Sequence, residues 1–244
     1  MSILSLSDWL QTPLGRHLMA WEQASFDHAV SDIFGYHAVQ IGLPEIDLLR
    51  ANRMPFRLRS GRLGEVGVIN RAEALPFASA SLDLVVLPHV LEFSPFPHQV
   101  LREVERVLVP EGSVIVSSFN PYSLWGLRRL LARQGRAFPW RGQYLSPLRV
   151  RDWMTLLGME NEAIMFGCYV PAVRSQRWLE RWLRIEAVGA RWWPVCGAAY
   201  LMHGVKRTHG MRLITPNWRD QRASARRAAP VTQRPASRSG RGEA

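Results

Sequence analysis

The sequence predicts an α/β fold built on a mostly parallel sheet, and three observations carry that prediction. Leu82 to Leu87 is a near-continuous apolar run, as a strand covered on both faces must be. Between Pro97 and Leu108, the apolar residues Val100, Leu101, Val104, Val107 and Leu108 share one helical face. Ser113 to Phe119 is again largely apolar. Strand, helix and strand at these intervals place parallel strands on either side of a crossover helix.

The elements follow in order. Ser7 or Asp8 is positioned to cap a short helix, and Leu14, Leu18, Trp21 and Phe26 trace an amphipathic helix towards Val30. Residues 1–34 therefore read as a helical lead-in, closed by Gly35. Tyr36 to Ile41 reads as a buried strand. A Gly42-Leu43-Pro44 turn and a helix through Ile46, Leu48 and Leu49 come next. Phe56 to Arg59 and Val66 to Ile69 read as strands two and three, Leu82 to Leu87 as the fourth and Ser113 to Phe119 as the fifth. Pro110-Glu111-Gly112 makes the turn before that fifth strand. Leu124 to Arg133 reads as a helix. Ser146-Pro147 opens another, with a capping Ser and Pro at the first helical position, and Gly158 stops it. Ala163 to Tyr169 and Ala198 to Lys206 are the last two strands, separated by a Trp- and Arg-rich helix from Arg174 to Val188. The folded domain is expected over residues 35–208. Residues 209–244 are expected to be a basic, largely disordered tail, because Arg, Ala, Ser, Pro and Gly cannot bury enough surface to order themselves.

Charge agrees with this division. The net charge is +11. From Lys206 onward there are ten Lys or Arg and two acids, +8 in all, which leaves +3 for the rest. The basicity belongs to the tail, so the body carries no strong nucleic-acid signal. The tail offers weak contact with anionic membranes or RNA, but it lacks interleaved aromatics for base stacking. Cys168 and Cys196 are too few for a disulfide framework, and no His, Cys and Asp cluster has metal-ligand spacing, so no metal is expected. No signal peptide and no run of about 18 apolar residues is present, which points to the cytoplasm.

One constellation goes further. Asn70-Arg71-Ala72-Glu73-Ala74-Leu75-Pro76-Phe77 precedes Leu82-Asp83-Leu84-Val85-Val86. His89-Val90-Leu91-Glu92 follows, then Leu101-Arg102-Glu103-Val104-Glu105-Arg106-Val107-Leu108-Val109-Pro110-Glu111-Gly112. In order and content this resembles the type-11 group of class I S-adenosylmethionine-dependent methyltransferases. The likeness is close over about 50 residues and general from Tyr36 to Lys206. It implies a Rossmann-like, mostly parallel seven-stranded sheet with helices on both faces, and S-adenosylmethionine bound across the carboxyl ends of strands one to four. That place also suits a ligand in any open α/β sheet.

The resemblance implies cofactor contacts at Gln40, Gly42, Glu45, Asn70 and Glu73, with Leu75, Pro76 and Phe77 as the apolar wall against adenine. The group's glycine-rich loop departs here. Its acid becomes Gln40, and its second and third glycines become Pro44 and Ile46; Gly42 remains. Strand two ends in Arg57-Leu58-Arg59-Ser60, with no acid for the ribose, and Asn70 stands where an acid meets the adenine amino group. Two readings stay open: a pocket that has lost its ligand, or a divergent pocket. In the divergent pocket Gln40 accepts from the cofactor ammonium and Glu45 restores the charge.

For chemistry, His89 and Glu92 follow strand four, where the transferable methyl group would point, and His89 is the candidate general base. The alternative is that both begin a helix and cap it locally. Asn120-Pro121-Tyr122 is faintly similar to the Asn-Pro-Pro-Tyr of amino-methylating DNA enzymes. It lacks the second Pro and follows strand five, so a simple turn is the plainer reading; Asn120 and Tyr122 would then line the acceptor pocket. Arg174, Arg177, Arg181 and Arg184 fall on one side of the late helix, and Trp178, Leu179, Trp182 and Leu183 on the other. That pattern covers a core or lies on a membrane. The leading reading is thus a methyltransferase for a small-molecule acceptor. The rivals are an inactive binding or scaffold module of the same fold, and a membrane- or RNA-associated protein working through its basic surfaces.

Overall fold

The computed structural model describes residues 4–62, 64, 66–131, 142–172 and 176–208. Within them the chain runs α1 (Leu4–Leu10), α2 (Pro13–Ser31), β1 (His37–Ile41), β2 (Phe56–Gly61), β3 (Val68–Ile69), β4 (Leu82–Pro88), α3 (Pro97–Val107) and β5 (Leu108–Phe119). It continues through α4 (Leu124–Leu131), α5 (Pro147–Leu156), β6 (Met159–Gly167), α6 (Gln176–Trp192) and β7 (Ala199–Lys206). The strands form one seven-stranded sheet in the order β3-β2-β1-β4-β5-β7-β6. Strands β1 to β5 are mutually parallel, and β7 lies antiparallel between β5 and β6. The expected Rossmann-like α/β sheet is therefore present.

Strand alternation divides the core into two layers. Val39, Ile41, Val85, Leu87, Val114 and Val116 face α3 and α5, packing with Val100, Leu101, Val104, Val150 and Met154. Ala38, Leu84, Val86 and Ile115 face the other way, onto Phe26 and Val30 of α2 and Leu48 and Leu49. Each strand of the centre is apolar on both sides because helices or turns cover both sides. A third cluster sits over the carboxyl edge of the sheet, where Leu10, Leu14 and Leu18 meet Leu43, Phe119, Trp125 and Val170. The lead-in helices thus roof the edge where a ligand would bind.

Caps behave as their chemistry requires. Thr12 accepts from the Gly15 N–H ahead of Pro13, and Ser146 accepts from the Arg149 N–H ahead of Pro147. Gly158 ends α5 with φ 74°. Asp83 accepts from the Tyr36 and His37 N–H groups, both at 2.9 Å, and so ties the start of β1 to β4.

Four expectations need correction. Residues 44–51 form successive turns, not a helix, because Asp47 caps the Leu49 N–H locally and Gln40 takes the Leu48 N–H. Pro110 to Gly112 lie in a bulge inside β5: Leu82 pairs with Leu108 and Leu84 with Ser113, and Glu111 turns left-handed at φ 63°. α1 spans Leu4–Leu10, so Ser7 and Asp8 lie within it and do not cap it. The last helix docks by Leu179 and Trp182, while Trp178 is exposed beneath Arg181. Arg174 and residues 209–244 lie outside the described residues. Among the described residues, no helix is long and apolar enough to cross a membrane.

Candidate active site

The carboxyl ends of β1, β2 and β4 open onto a small crevice lined by Gly42, Arg62, Asn70, Glu73, Val90 and Phe93. Gly42 lies at its floor, with φ 89°, and Leu43 follows at φ 44°. Two left-handed residues in succession turn the chain away from the sheet, and the Gly42 N–H donates to the Ser60 carbonyl at 2.8 Å. A side chain at Gly42 would be strained at this φ.

Gln40 is fully buried and fully engaged. Its Nε2 donates to the carbonyls of Gly42, Leu43 and Ile46 at 3.1, 2.9 and 2.8 Å, and its Oε1 accepts from the Leu48 N–H at 2.9 Å. Arg59 reinforces the loop by donating to the Pro44 carbonyl at 2.6 Å. The expected contact between Gln40 and a cofactor ammonium is therefore not offered, since both ends of the amide hold the loop. A carboxylate could not do this, because it has no hydrogens to give three carbonyls. Glu45 lies exposed on the outer side of the turn, beside Gly64.

Asn70 and Glu73, expected to touch the cofactor, also line the crevice. The Asn70 Oδ1 accepts from the Ser60 hydroxyl at 3.3 Å, while its Nδ2 is buried with no partner. Glu73 accepts from the Ser94 hydroxyl at 2.7 Å. Burial would raise this carboxyl, but the Ser94 bond, its own backbone N–H and the charges of Arg71 and Arg62 together hold it below its ordinary range. Arg62 lines the crevice just past the end of β2, near the place expected of a ribose-binding acid.

The apolar wall differs from expectation. It is Ala72, Val90 and Phe93, not Leu75, Pro76 and Phe77. Glu103 accepts from the Leu75 N–H, and Arg106 donates to the carbonyls of Leu75 and Phe77, so α3 holds that segment against itself.

His89 and Glu92 meet, but not as a free base and its partner. His89 is fully buried, with φ 52°. Its Nδ1 lies 2.5 Å from Glu92 Oε1, and its Nε2 lies 2.7 Å from Glu22 Oε1 of α2. Burial alone would push the imidazole down, but the Glu22 and Glu92 carboxylates outweigh it and lift His89 to about 10. An enclosed imidazolium has no lone pair for a substrate proton, so the general base expected of His89 is not what this geometry provides. Glu92 is equally committed: its Oε2 accepts from the Ser118 hydroxyl at 2.5 Å and the Phe119 N–H at 2.7 Å.

Asn120 is likewise spent. It donates to the carbonyls of Val195 and Gly197 at 2.8 and 2.9 Å and accepts from the Tyr122 N–H at 3.0 Å. It fastens β5 to the segment before β7, and Tyr122 points out with 61 % exposure. Sequence reasoning missed Tyr144, whose ring stacks on Phe119 with 5.3 Å between centroids and whose hydroxyl is buried without a partner. Burial, and then the Glu92 carboxylate, push that phenol upward, so it stays protonated. No motif flags it. The partnership of Glu22 with His89 is also invisible in sequence, since 67 positions separate them.

Comparison with known proteins agrees with this architecture. Residues 46–116 match the type-11 family described as a methyltransferase domain. The uncharacterized protein YafS of Escherichia coli K12 is 27 % identical over 164 residues, covering 62 % of this chain and 64 % of that protein. The biotin biosynthesis bifunctional protein BioHC of Saccharophagus degradans is 32 % identical over 133 residues, covering 51 % of this chain and 24 % of that one. The chain thus spans less than two thirds of these curated relatives. Among solved structures, a SAM-dependent methyltransferase from Thermotoga maritima superposes with a TM-score of 0.56 at 19 % identity, covering 76 % of this chain and 89 % of that one. One from Archaeoglobus fulgidus gives 0.55 at 17 %, covering 75 % and 92 %. Sheet order, family match and fold neighbours agree: residues 46–116 match the type-11 methyltransferase domain, and the chain has the Rossmann-like fold seen in S-adenosylmethionine-dependent methyltransferases.

Proposed function

We propose that this protein transfers a methyl group from S-adenosylmethionine to a small-molecule acceptor in the cytoplasm. One observation supports this above the others: Asn70, whose side-chain Nδ2 is buried without a partner, lines a crevice with apolar walls at the carboxyl ends of the parallel strands. Such an N–H suits a ring nitrogen of adenine, and Ala72, Val90 and Phe93 suit its faces. Gly42 leaves room for the amino-acid end. The chemistry of this lining suits the nucleoside half of the cofactor, with Arg62 near the place where a carboxylate would ordinarily meet the ribose.

When bound, the cofactor supplies an electrophilic methyl group on a sulfonium sulfur. The chain's own residues supply position. The Glu22–His89–Glu92 lock joins α2, the end of β4 and the end of β5, and so holds the roof over the edge where the acceptor enters. Tyr144, neutral, its ring stacked on Phe119 and its hydroxyl without a hydrogen-bond partner, offers a hydrogen bond to an acceptor molecule. Neither His89 nor Glu92 takes the acceptor's proton, which leaves to water.

A second reading has an observation in its favour. With Gln40 committed to the loop and Arg62 near the expected place of the acid, the amino-acid and ribose ends have lost charged partners, which suits a non-catalytic binding module. Calorimetric titration with S-adenosylmethionine and S-adenosylhomocysteine separates the two. Binding of both, abolished in Gly42→Val and weakened about tenfold in Phe93→Ala, is expected of the transferase. Absence of heat with either ligand selects the module.

A further inference from the structure

The carboxyl edge of β6 carries a second cluster, apart from the crevice. Cys168 follows β6 directly, at φ 60° and 1 % exposed. Two glycines let two helices close on it. A Cβ at Gly167 would overlap the indole of Trp21, so only glycine lets α2 approach here; His17 lies one turn before Trp21. A Cβ at Gly189 would overlap Tyr169, so only glycine lets α6 approach; Glu186 lies one turn before Gly189. The Tyr169 N–H fixes the Glu186 carboxylate, with both oxygens at 3.2 Å. His17 Nε2 stands 3.5 Å from Glu186 Oε2, is shielded from water and makes no hydrogen bond.

We infer that His17, Cys168 and Glu186 form a binding site for a zinc-type divalent cation. One imidazole nitrogen, one sulfur and one carboxylate oxygen lie within 4.8 Å of one another. This is a borderline-soft donor set suited to Zn²⁺, with three protein ligands and a fourth position open, the pattern of reactive rather than purely structural zinc sites. A tetrahedral ion needs about 3.3–3.8 Å between ligand atoms, so binding draws the three inward by up to about 1 Å. Hard cations such as Mg²⁺ are poorly served, since they prefer oxygen ligands throughout. On binding, the thiol proton leaves to solvent and the sulfur binds as thiolate. The site does not rest on the methyltransferase reading, because none of its residues lines the crevice.

The chain's cysteine content makes the test selective, for Cys168 and Cys196 are its only thiols. Untagged full-length protein, stripped with chelator, is titrated with Co²⁺ as a spectroscopic substitute for Zn²⁺. One equivalent should raise a near-ultraviolet thiolate charge-transfer band and the intense visible bands of a tetrahedral ion, and Zn²⁺ should displace both. Cys196→Ser should keep the band and Cys168→Ser should lose it. His17→Ala and Glu186→Gln should each weaken Zn²⁺ binding at least tenfold in competition with a chelating dye, while circular dichroism confirms that they remain folded. Co²⁺ binding by wild-type protein without a thiolate band marks adventitious surface histidines and overturns the proposal, whatever the variants do. A band that persists in Cys168→Ser, or disappears in Cys196→Ser, overturns it as well.

Discussion

At the residue scale, Gln40 explains how a loop stripped of two glycines keeps its shape. Three carbonyls converge on one amide nitrogen and share its two hydrogens. Gln40→Glu would restore the acid that the family's motif carries, yet it would set a buried carboxylate against those carbonyls. The expected outcome is a loss of about 2–4 kcal/mol in urea unfolding and no gain in S-adenosylmethionine affinity. A stable variant with tighter binding would show that the loop still works as the ordinary motif does. His89 makes a prediction of opposite origin. Its folded value of about 10 lies above the ordinary 6.5, so the ion-paired proton is bound more tightly in the folded state. The resulting stability is fully present below pH 6.5 and drains away as pH rises through about 10. Denaturation midpoints measured across that range should fall for wild type. His89→Asn should be less stable at neutral pH by about 3–5 kcal/mol, since it leaves Glu22 and Glu92 buried without their cation, and its decline with pH should be shallower. The sequence exposed His89 and Glu92 as a pair, three positions apart. It could not show Glu22, because burial of a charge on a distant helix leaves no local pattern.

At the scale of elements, strands declared themselves more clearly than turns. β4 and β5 are apolar on both sides because both sides are covered, and that pattern reads directly as parallel sheet. The stretch after β1 misled for a related reason. Ile46, Leu48 and Leu49 have helical spacing, but they bury through consecutive turns whose backbone is satisfied by Gln40 and Asp47. Side-chain capture of backbone groups outcompetes a helix too short to sustain itself. Contacts between helices and the sheet edge were illegible too, since they depend on absent side chains. Gly167→Ala tests one of them: the added methyl must displace Trp21 and push α2 from the sheet. A loss of about 1–3 kcal/mol in chemical unfolding is expected. An unchanged midpoint would mean that α2 has slack at this crossing.

At the scale of the whole molecule, Met1–Thr208 and His209–Ala244 separate into two units. The core clusters among the described residues lie in the first, so a chain ending at Thr208 should melt within a few degrees of the full-length protein. A large drop in Tm on truncation would reveal packing that the tail's composition does not suggest. In the sequence, charge asymmetry is what sets the tail apart. That the seven strands form one sheet came only from the family resemblance, and the reversal of β7 left no mark in the sequence, since a reversed strand has the same apolar run in either direction.

The sheet's order carries one more consequence. β3 is a two-residue strand at the margin, held by the pairs Ser60–Val68 and Gly61–Ile69, whereas β4 and β5 lie at the centre under helices. Asn70 hangs from that margin, its N–H donated to the Gly61 carbonyl at 2.9 Å. Fraying of a short edge strand is the least expensive opening such a sheet permits, far below global unfolding. The crevice therefore has one wall that breathes and one that does not. A ligand that settles against the edge strand should be recorded as slowed amide exchange from Ser60 to Asn70, with the exchange of β4 and β5 left untouched.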